Sequence, residues 1–220
     1  MTASKNSSKK VKQHTVYKTS DGKRVPGVTT ILGIMGKPAL IPWANRLGLE
    51  GVEYRAYLNE RADIGTCCHA MIEADLKGVP FERYEYSDLV LNQAETGYLK
   101  WLEWKEGKDI EVLASEMPLV SEVHRYGGTC DIYALVNGVK TLIDIKTGGS
   151  GVYPDMKTQV VGGYLPLLEE NGYRVDQAMI LRVSCDETSG HEEAVIGNWD
   201  EHKKVFLLCR ELYEAVKVAK

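Results

Sequence analysis

The sequence predicts an α/β fold in which a central mixed β-sheet is flanked by α-helices. Three observations predict it. Asn137-Gly138 stands between two short strand-like runs, and this pair favours the positive φ angles of a tight hairpin turn. The order of patterns along the chain is helices, three strands, a helix, two strands and a final helix, which suits a sheet covered by helices. The chain has 220 residues, 44% hydrophobic and 26% charged, enough for one domain with a sizeable core.

The elements follow in order. Residues 1–14, "MTASKNSSKKVKQH", are polar and basic and are expected to be a disordered tail before a single domain over residues 15–220. "HTVYKTSDGKRVPGVTTIL" predicts a small strand pair turning at Asp21-Gly22 and then a helix start. Pro42-Trp43 opens another helical stretch. Ile64, Cys68, Met71, Ile72 and Leu76 recur at helical spacing, and Gly78 ends that helix. A second long helix starts near Ser87 or Asp88, either of which suits an N-cap. Residues 111–123 alternate as a strand, and the hairpin follows. Met156, Val160, Tyr164, Leu167 and Leu168 resume a helical pattern that Pro166 is expected to kink. "DQAMILRVS" and "EEAVIGNW" are strands. The last segment is amphipathic, and its stripe of Val205, Leu208, Cys209, Leu212 and Val216 is expected to face the core.

Composition excludes several classes. The formal net charge of −4 gives no global basic signature, though a basic groove can coexist with an acidic exterior. Five cysteines without a CxxC pair argue against a disulfide scaffold, a zinc ribbon or an iron–sulfur cluster, and fit a reducing cytosol. No apolar run reaches about 18 residues, so no membrane span is expected. The N-terminus has no apolar h-region of a signal peptide.

Chemistry concentrates in the hairpin. A two-residue turn pairs Val136 with Val139, Tyr133 with Leu142 and Ile132 with Ile143, which sets Asp131 opposite Asp144. Lys146 lies two residues further on and shares that face, expected to line a solvent-facing cleft. The other face would carry Cys130, Ile132, Ala134, Ile143 and Ile145. Like charges set opposite each other destabilise a sheet. A divalent cation removes that repulsion, and hard cations take carboxylate ligands. Lys146 would orient the attacking water or act as its base. The plain alternative is a solvated Asp-Lys-Asp cluster.

Asp131 followed by Asp144-Ile145-Lys146 resembles the PD-(D/E)xK nuclease superfamily. The chain looks most like its RecB-type and phage exonuclease branch, which includes the mitochondrial genome maintenance exonuclease group. "IGTCCHAMIE" is similar to the branch's Gly-Thr-x-x-His helix, "GGTCD" to the approach to its first catalytic strand, "DIKTG" to its Asp-x-Lys-Thr, and "QVVGGY" to its downstream Gln-x-x-x-x-Tyr helix. "VPGVTTIL" with Trp43 is similar to the opening of many phage members.

The resemblance implies a restriction-endonuclease-like core and one or two Mg²⁺ or Mn²⁺ ions. The ligands would be His69, Asp131, Asp144, the Ile145 carbonyl and Glu116, and the catalytic set Asp131, Asp144, Lys146 and His69. Glu73, one helical turn after His69, would orient its imidazole or remain solvated. Gln159, Tyr164, Thr66 and Thr147 would contact DNA or support the site. Gln159 and Tyr164, five residues apart, need not share a narrow α-helical face. Trp43 with Arg46, and Arg55 with Arg61, would line a groove for a single strand. The implied activity is a metal-dependent DNA exonuclease acting on single strands or duplex ends, in replication, recombination or repair in the cytoplasm of a bacterium or phage-infected cell. An endonuclease or flap nuclease of the same fold, and a catalytically silent DNA-binding module, are the alternatives. An oligomer remains open.

Overall fold

A computed structural model describes residues 15–83, 86–148 and 151–219. The proposed tail over residues 1–14 lies outside them. The chain forms α1 (Val28–Leu32), a 3₁₀ turn (Gly33–Met35), α2 (Leu40–Leu49), α3 (Tyr54–Lys77), α4 (Asp88–Lys105), β1 (Ile110–Ser121), β2 (Tyr126–Val136) and β3 (Val139–Lys146). It continues with α5 (Pro154–Lys157), a π-helical stretch (Thr158–Tyr164), α6 (Leu165–Glu170), β4 (Gln177–Val183), β5 (His191–Val195) and α7 (Trp199–Val218). The five strands form one sheet in sequence order. Only β3 and β4 run parallel, joined by the crossover through α5 and α6; the other neighbours are antiparallel. The α/β class with a mixed sheet therefore stands as expected. No helix among the described residues is long and apolar enough to cross a membrane.

Local signals explain the boundaries. The Ser87 side chain accepts from the Val90 N–H and starts α4. The Glu53 carboxylate accepts from Arg55 and Ala56 and starts α3. Gly78 ends α3 with φ +63. Asn137 and Gly138 both take positive φ, as the tight turn requires. The expected strand pair at Asp21-Gly22 reduces to a single bridge between Lys18 and Arg24, closed by Gly22 N–H to the Thr19 carbonyl.

Two apolar cores sandwich the sheet. One joins α1, the π-helical stretch, α6 and α7 to Leu119, Tyr126, Cys130, Tyr133, Leu142 and Ile180. The other joins α3 and α4 to Ile132, Ala134, Val136, Ile143, Ile145 and Leu181. Cys130 thus corrects the expectation that placed it with Ile132. The alternation breaks at Asp131, which falls opposite Glu116 in the β1–β2 register, and Glu116 has φ +46. Glu116 re-aims β1 as a left-handed residue in mid-strand, and across from it the even-numbered positions of β2 change core at the same level.

The α7 stripe is a second correction. Val205, Leu208, Leu212 and Val216 are exposed, Leu208 by 56%, while Phe206 and Cys209 are buried. The helix is turned so that His202 and Phe206 meet the π-helical stretch. Gly162 permits this: a Cβ there would stand 2.6 Å from the His202 carbonyl oxygen and 2.9 Å from Phe206 Cβ. Gly163 makes the same allowance for α1, since its Cβ would stand 2.5 Å from Val28 Cγ1.

Gly162→Ala forces backbone of α7 to move. We expect it to lower unfolding free energy by about 1–3 kcal/mol in urea titration. Gly33→Ala, where nothing lies within 4 Å of the added methyl, should stay within about 0.5 kcal/mol of the parent.

Candidate metal centre

The expected register holds from Val136–Val139 to Ile132–Ile143, and Asp131 and Asp144 are the next residues outward. There the Asp131 carboxylate replaces the backbone ladder: its Oδ2 accepts the Ile145 N–H at 2.8 Å. Asp144 sits on a central strand and is 1% exposed. Lys146 Nζ lies 2.7 Å from Asp144 Oδ2, an ion pair rather than a well-aligned hydrogen bond. Lys146 also donates to Gln159 Oε1 at 3.4 Å, and Gln159 Nε2 donates to the Tyr164 hydroxyl at 2.8 Å.

The π-helical stretch makes that last contact. A π turn advances more residues than an α turn, so positions five apart come into register on one side. Gln159 and Tyr164 thereby share one side of the cleft, which α-helical spacing alone does not require. The Tyr164 ring in turn needs Gly128 of β2, where a Cβ would stand 2.8 Å from its Cε1.

α3 delivers the third side. A Cβ at Gly65 would stand 2.9 Å from Thr147 Oγ1, so glycine lets the helix approach the end of β3. One turn later, His69 Nδ1 lies 3.8 Å from Glu116 Oε1 and 3.9 Å from Asp131 Oδ2. Ligand atoms of His69, Glu116 and Asp131 all fall within 4.8 Å of one another. Asp144 is not part of this trio; it stands beside it, held by Lys146. The cleft, about 370 Å³, is lined by His69, Asp131, Asp144, Ile145, Lys146, Thr147, Gly148, Met156, Gln159 and Tyr164. Gly148 and Met156 were not singled out in the sequence, although Gly148 directly follows Asp-Ile-Lys-Thr and Met156 precedes Gln159 by one turn.

Several expected residues lie elsewhere. Trp43 packs edge-on against Tyr54 and Tyr57 of α3, at 5.6 and 5.8 Å between ring centroids. Arg46 and Arg55 are exposed, and Arg61 donates to Gln93 of α4. Thr66 does not line the cleft. Glu73 pairs with Lys77 on the surface. None of these residues is among those that line the cleft. All five cysteines are free and buried, and no cluster of four ligating thiols exists among the described residues.

Electrostatics fit a cation. The Asp131 carboxyl is raised to about 6: burial is the largest cause, Asp144 and Glu116 add to it, and His69 and Lys146 oppose it. For Lys146, burial works downward, but Asp144 and Asp131 outweigh it and the ammonium is held above its usual range. A protonated Lys146 orients and stabilises charge; it is not a base in this state. Two carboxylates and an imidazole form a donor set that hard divalent ions such as Mg²⁺ accept through oxygen and that Mn²⁺ accepts through all three groups.

No family model and no curated protein matches the chain. A solved structure described as the crystal structure of SSO0001 is similar over 69% of this chain and 72% of that one, with 14% identity and a TM-score of 0.33.

Two outcomes follow from the charges. Asp131 is raised in the folded state above its unfolded value of about 3.9, so its contribution to stability is present below that pH and is lost as pH rises through about 6. A bound cation must displace that proton. The rise in melting temperature given by Mn²⁺ should therefore be small at pH 5, grow through pH 6 and level off above pH 7, and Asp131→Asn should flatten that profile. Secondly, Lys146 is not in open solvent: its side chain is 21% exposed. Lys146→Met leaves Asp144 buried without its partner and should cost about 3 kcal/mol in urea unfolding, the lower end for breaking a buried pair. Adding Asp144→Asn should recover most of the loss.

Proposed function

We propose that this protein is a metal-dependent deoxyribonuclease with a restriction-endonuclease-like core, hydrolysing phosphodiester bonds from the ends of DNA. The observation that carries the reading is the clustering of His69, Glu116 and Asp131, two of which line the same cleft as the Asp144–Lys146 pair. These residues come from α3, β1, β2 and β3, and their order and type follow the resemblance drawn from the sequence.

In this reading His69, Glu116 and Asp131 hold Mg²⁺ or Mn²⁺, with Asp144 completing the carboxylate wall. The ion supplies Lewis acidity toward the scissile phosphate and lowers the pKa of a bound water. Lys146, kept protonated by Asp144, places positive charge where the phosphate gains negative charge. Gln159 fixes the Lys146 ammonium, and the Tyr164 hydroxyl fixes Gln159. Asp131 loses its proton as pH rises through about 6, and its carboxylate would then be available as an oxygen ligand.

The test is digestion of end-labelled linear DNA with Mg²⁺, Mn²⁺ or EDTA, beside closed circular single strands. Cleavage with either metal, none with EDTA and an intact circle are expected; a nicked circle would make the enzyme an endonuclease. Asp131→Ala and His69→Ala should each abolish cleavage and most of the Mn²⁺ thermal shift. Lys146→Met, assayed below its melting temperature, should keep the thermal shift and lose about 10²–10⁴-fold in rate. No metal-dependent cleavage and no thermal shift at millimolar Mg²⁺ or Mn²⁺ would overturn the reading.

A further inference from the structure

Behind the cleft, three thiols meet at the back of α3. Cys67 and Cys68 belong to that helix, and Cys185 lies just past β4. A Cβ at Gly97 of α4 would stand 2.7 Å from Cys185 Sγ and 2.9 Å from Cys68 Sγ. The two sulfurs therefore share the hollow that the missing side chain leaves. Their thiols are hydrogen-bonded to each other. The nuclease reading makes no use of them.

Both ends of this pair are tied to the cleft. Cys68 immediately precedes His69. The Cys185 N–H donates to the Thr147 carbonyl at 3.3 Å, and Thr147 follows Lys146. Cys185 is also the last buried residue before an exposed loop; residues 186–188 are exposed. Lys100 Nζ holds that loop by donating to the Ser184 and Asp186 carbonyls. A small oxidant would have to reach the sulfur from the side of this loop.

We infer that Cys68 and Cys185 are a reversible disulfide couple, oxidised by a peroxide, that controls whether His69 sits in the metal cluster. The control rests on the metal reading above; the couple itself does not. Cys185 is the attacking sulfur. It borders the exposed loop at residues 186–188, whereas Cys68 lies inside α3. Its sulfur attacks one peroxide oxygen, the O–O bond breaks, and a sulfenic acid and one water form. The Cys68 sulfur then attacks the sulfenic sulfur, the S–O bond breaks, the S–S bond forms and a second water leaves. Two thiols are oxidised and hydrogen peroxide is reduced to two waters. A dithiol reductant reverses the step.

The S–S bond must close to about 2.05 Å, shorter than any hydrogen-bonded separation of two thiols. That closure draws the turn of α3 carrying His69 toward the β4 end and shifts it against Thr147.

The experiment treats the folded protein with hydrogen peroxide, blocks remaining thiols, digests with trypsin and weighs the peptides without reduction. The expected product links Ala62–Lys77 to Val183–Lys203 and disappears with dithiothreitol. The link should form in the parent and in Cys67→Ser, and fail in Cys68→Ser, Cys68→Ala and Cys185→Ser. Absence of the linked peptide in the parent, or a link that survives in the Cys68 variants, overturns the couple. The same oxidised sample should lose most of its Mn²⁺ thermal shift and regain it on reduction. A linked peptide with an unchanged shift overturns the control of His69. If the reduced parent shows no Mn²⁺ shift at all, the metal reading fails, the control of His69 fails with it, and the linked peptide alone decides the couple.

Discussion

A carboxyl group in the middle of a sheet has to find its partner where it stands, and Asp144 sets that condition for the whole cleft. It is 1% exposed on the strand between β2 and β4. The Coulombic attraction of a nearby ammonium can offset the cost of desolvation only with good geometry and further partners. Lys146 supplies the charge at 2.7 Å, Gln159 holds the lysine, and Tyr164 holds Gln159. The chain of contacts runs from the sheet into the crossover helix, so a single buried charge fixes how that helix must lie.

Glycines then decide what can approach. Gly128 makes room for the Tyr164 ring, Gly162 and Gly163 let the π-helical stretch touch α7 and α1, and Gly65 lets α3 reach Thr147. Interiors are packed closely enough that one methyl at such a contact must displace a neighbour. These positions carry no chemistry of their own, yet each sets the position of a group that does. The irregular helix is the most telling case. An ordinary α-helix over the same residues would turn Gln159 and Tyr164 away from each other.

Much of this was legible in the sequence, for identifiable reasons. The hairpin register could be counted because Asn137-Gly138 leaves one tight turn, and every residue pair from there to Ile132–Ile143 follows from it. His69, Asp131, Asp144, Lys146, Thr147, Gln159 and Tyr164 all line the cleft, as expected from local motifs. Other features depend on three dimensions. The facing of Cys130 changes beside an irregularity at Glu116 and Asp131, which no residue pattern encodes. The α7 stripe misled because two apolar rows lie side by side on that helix, and the row with Phe206 is selected by the groove at Gly162. The edge-on packing of Trp43 on two tyrosines of α3 is likewise a contact between distant segments that no local motif announces. The burial of Lys146 was missed because a period of two assigns a face and not a depth.

The change of facing at Glu116 and Asp131 has a mechanical consequence. β2 is one continuous strand, yet before this point its even-numbered side chains belong to the core under α7, and after it they belong to the core under α3 and α4. The two helical layers are thus geared to opposite ends of one lever, and the lever's fulcrum carries Asp131, with Glu116 of β1 directly across from it. His69 rides on one of the layers. A small rotation of α3 and α4 against the remainder leaves Glu116 and Asp131 nearly in place while swinging His69 along an arc past them. The dimension most sensitive to such a rotation is the spacing between imidazole and carboxylates, and any force applied to α3 far from the cleft is read out at that spacing first.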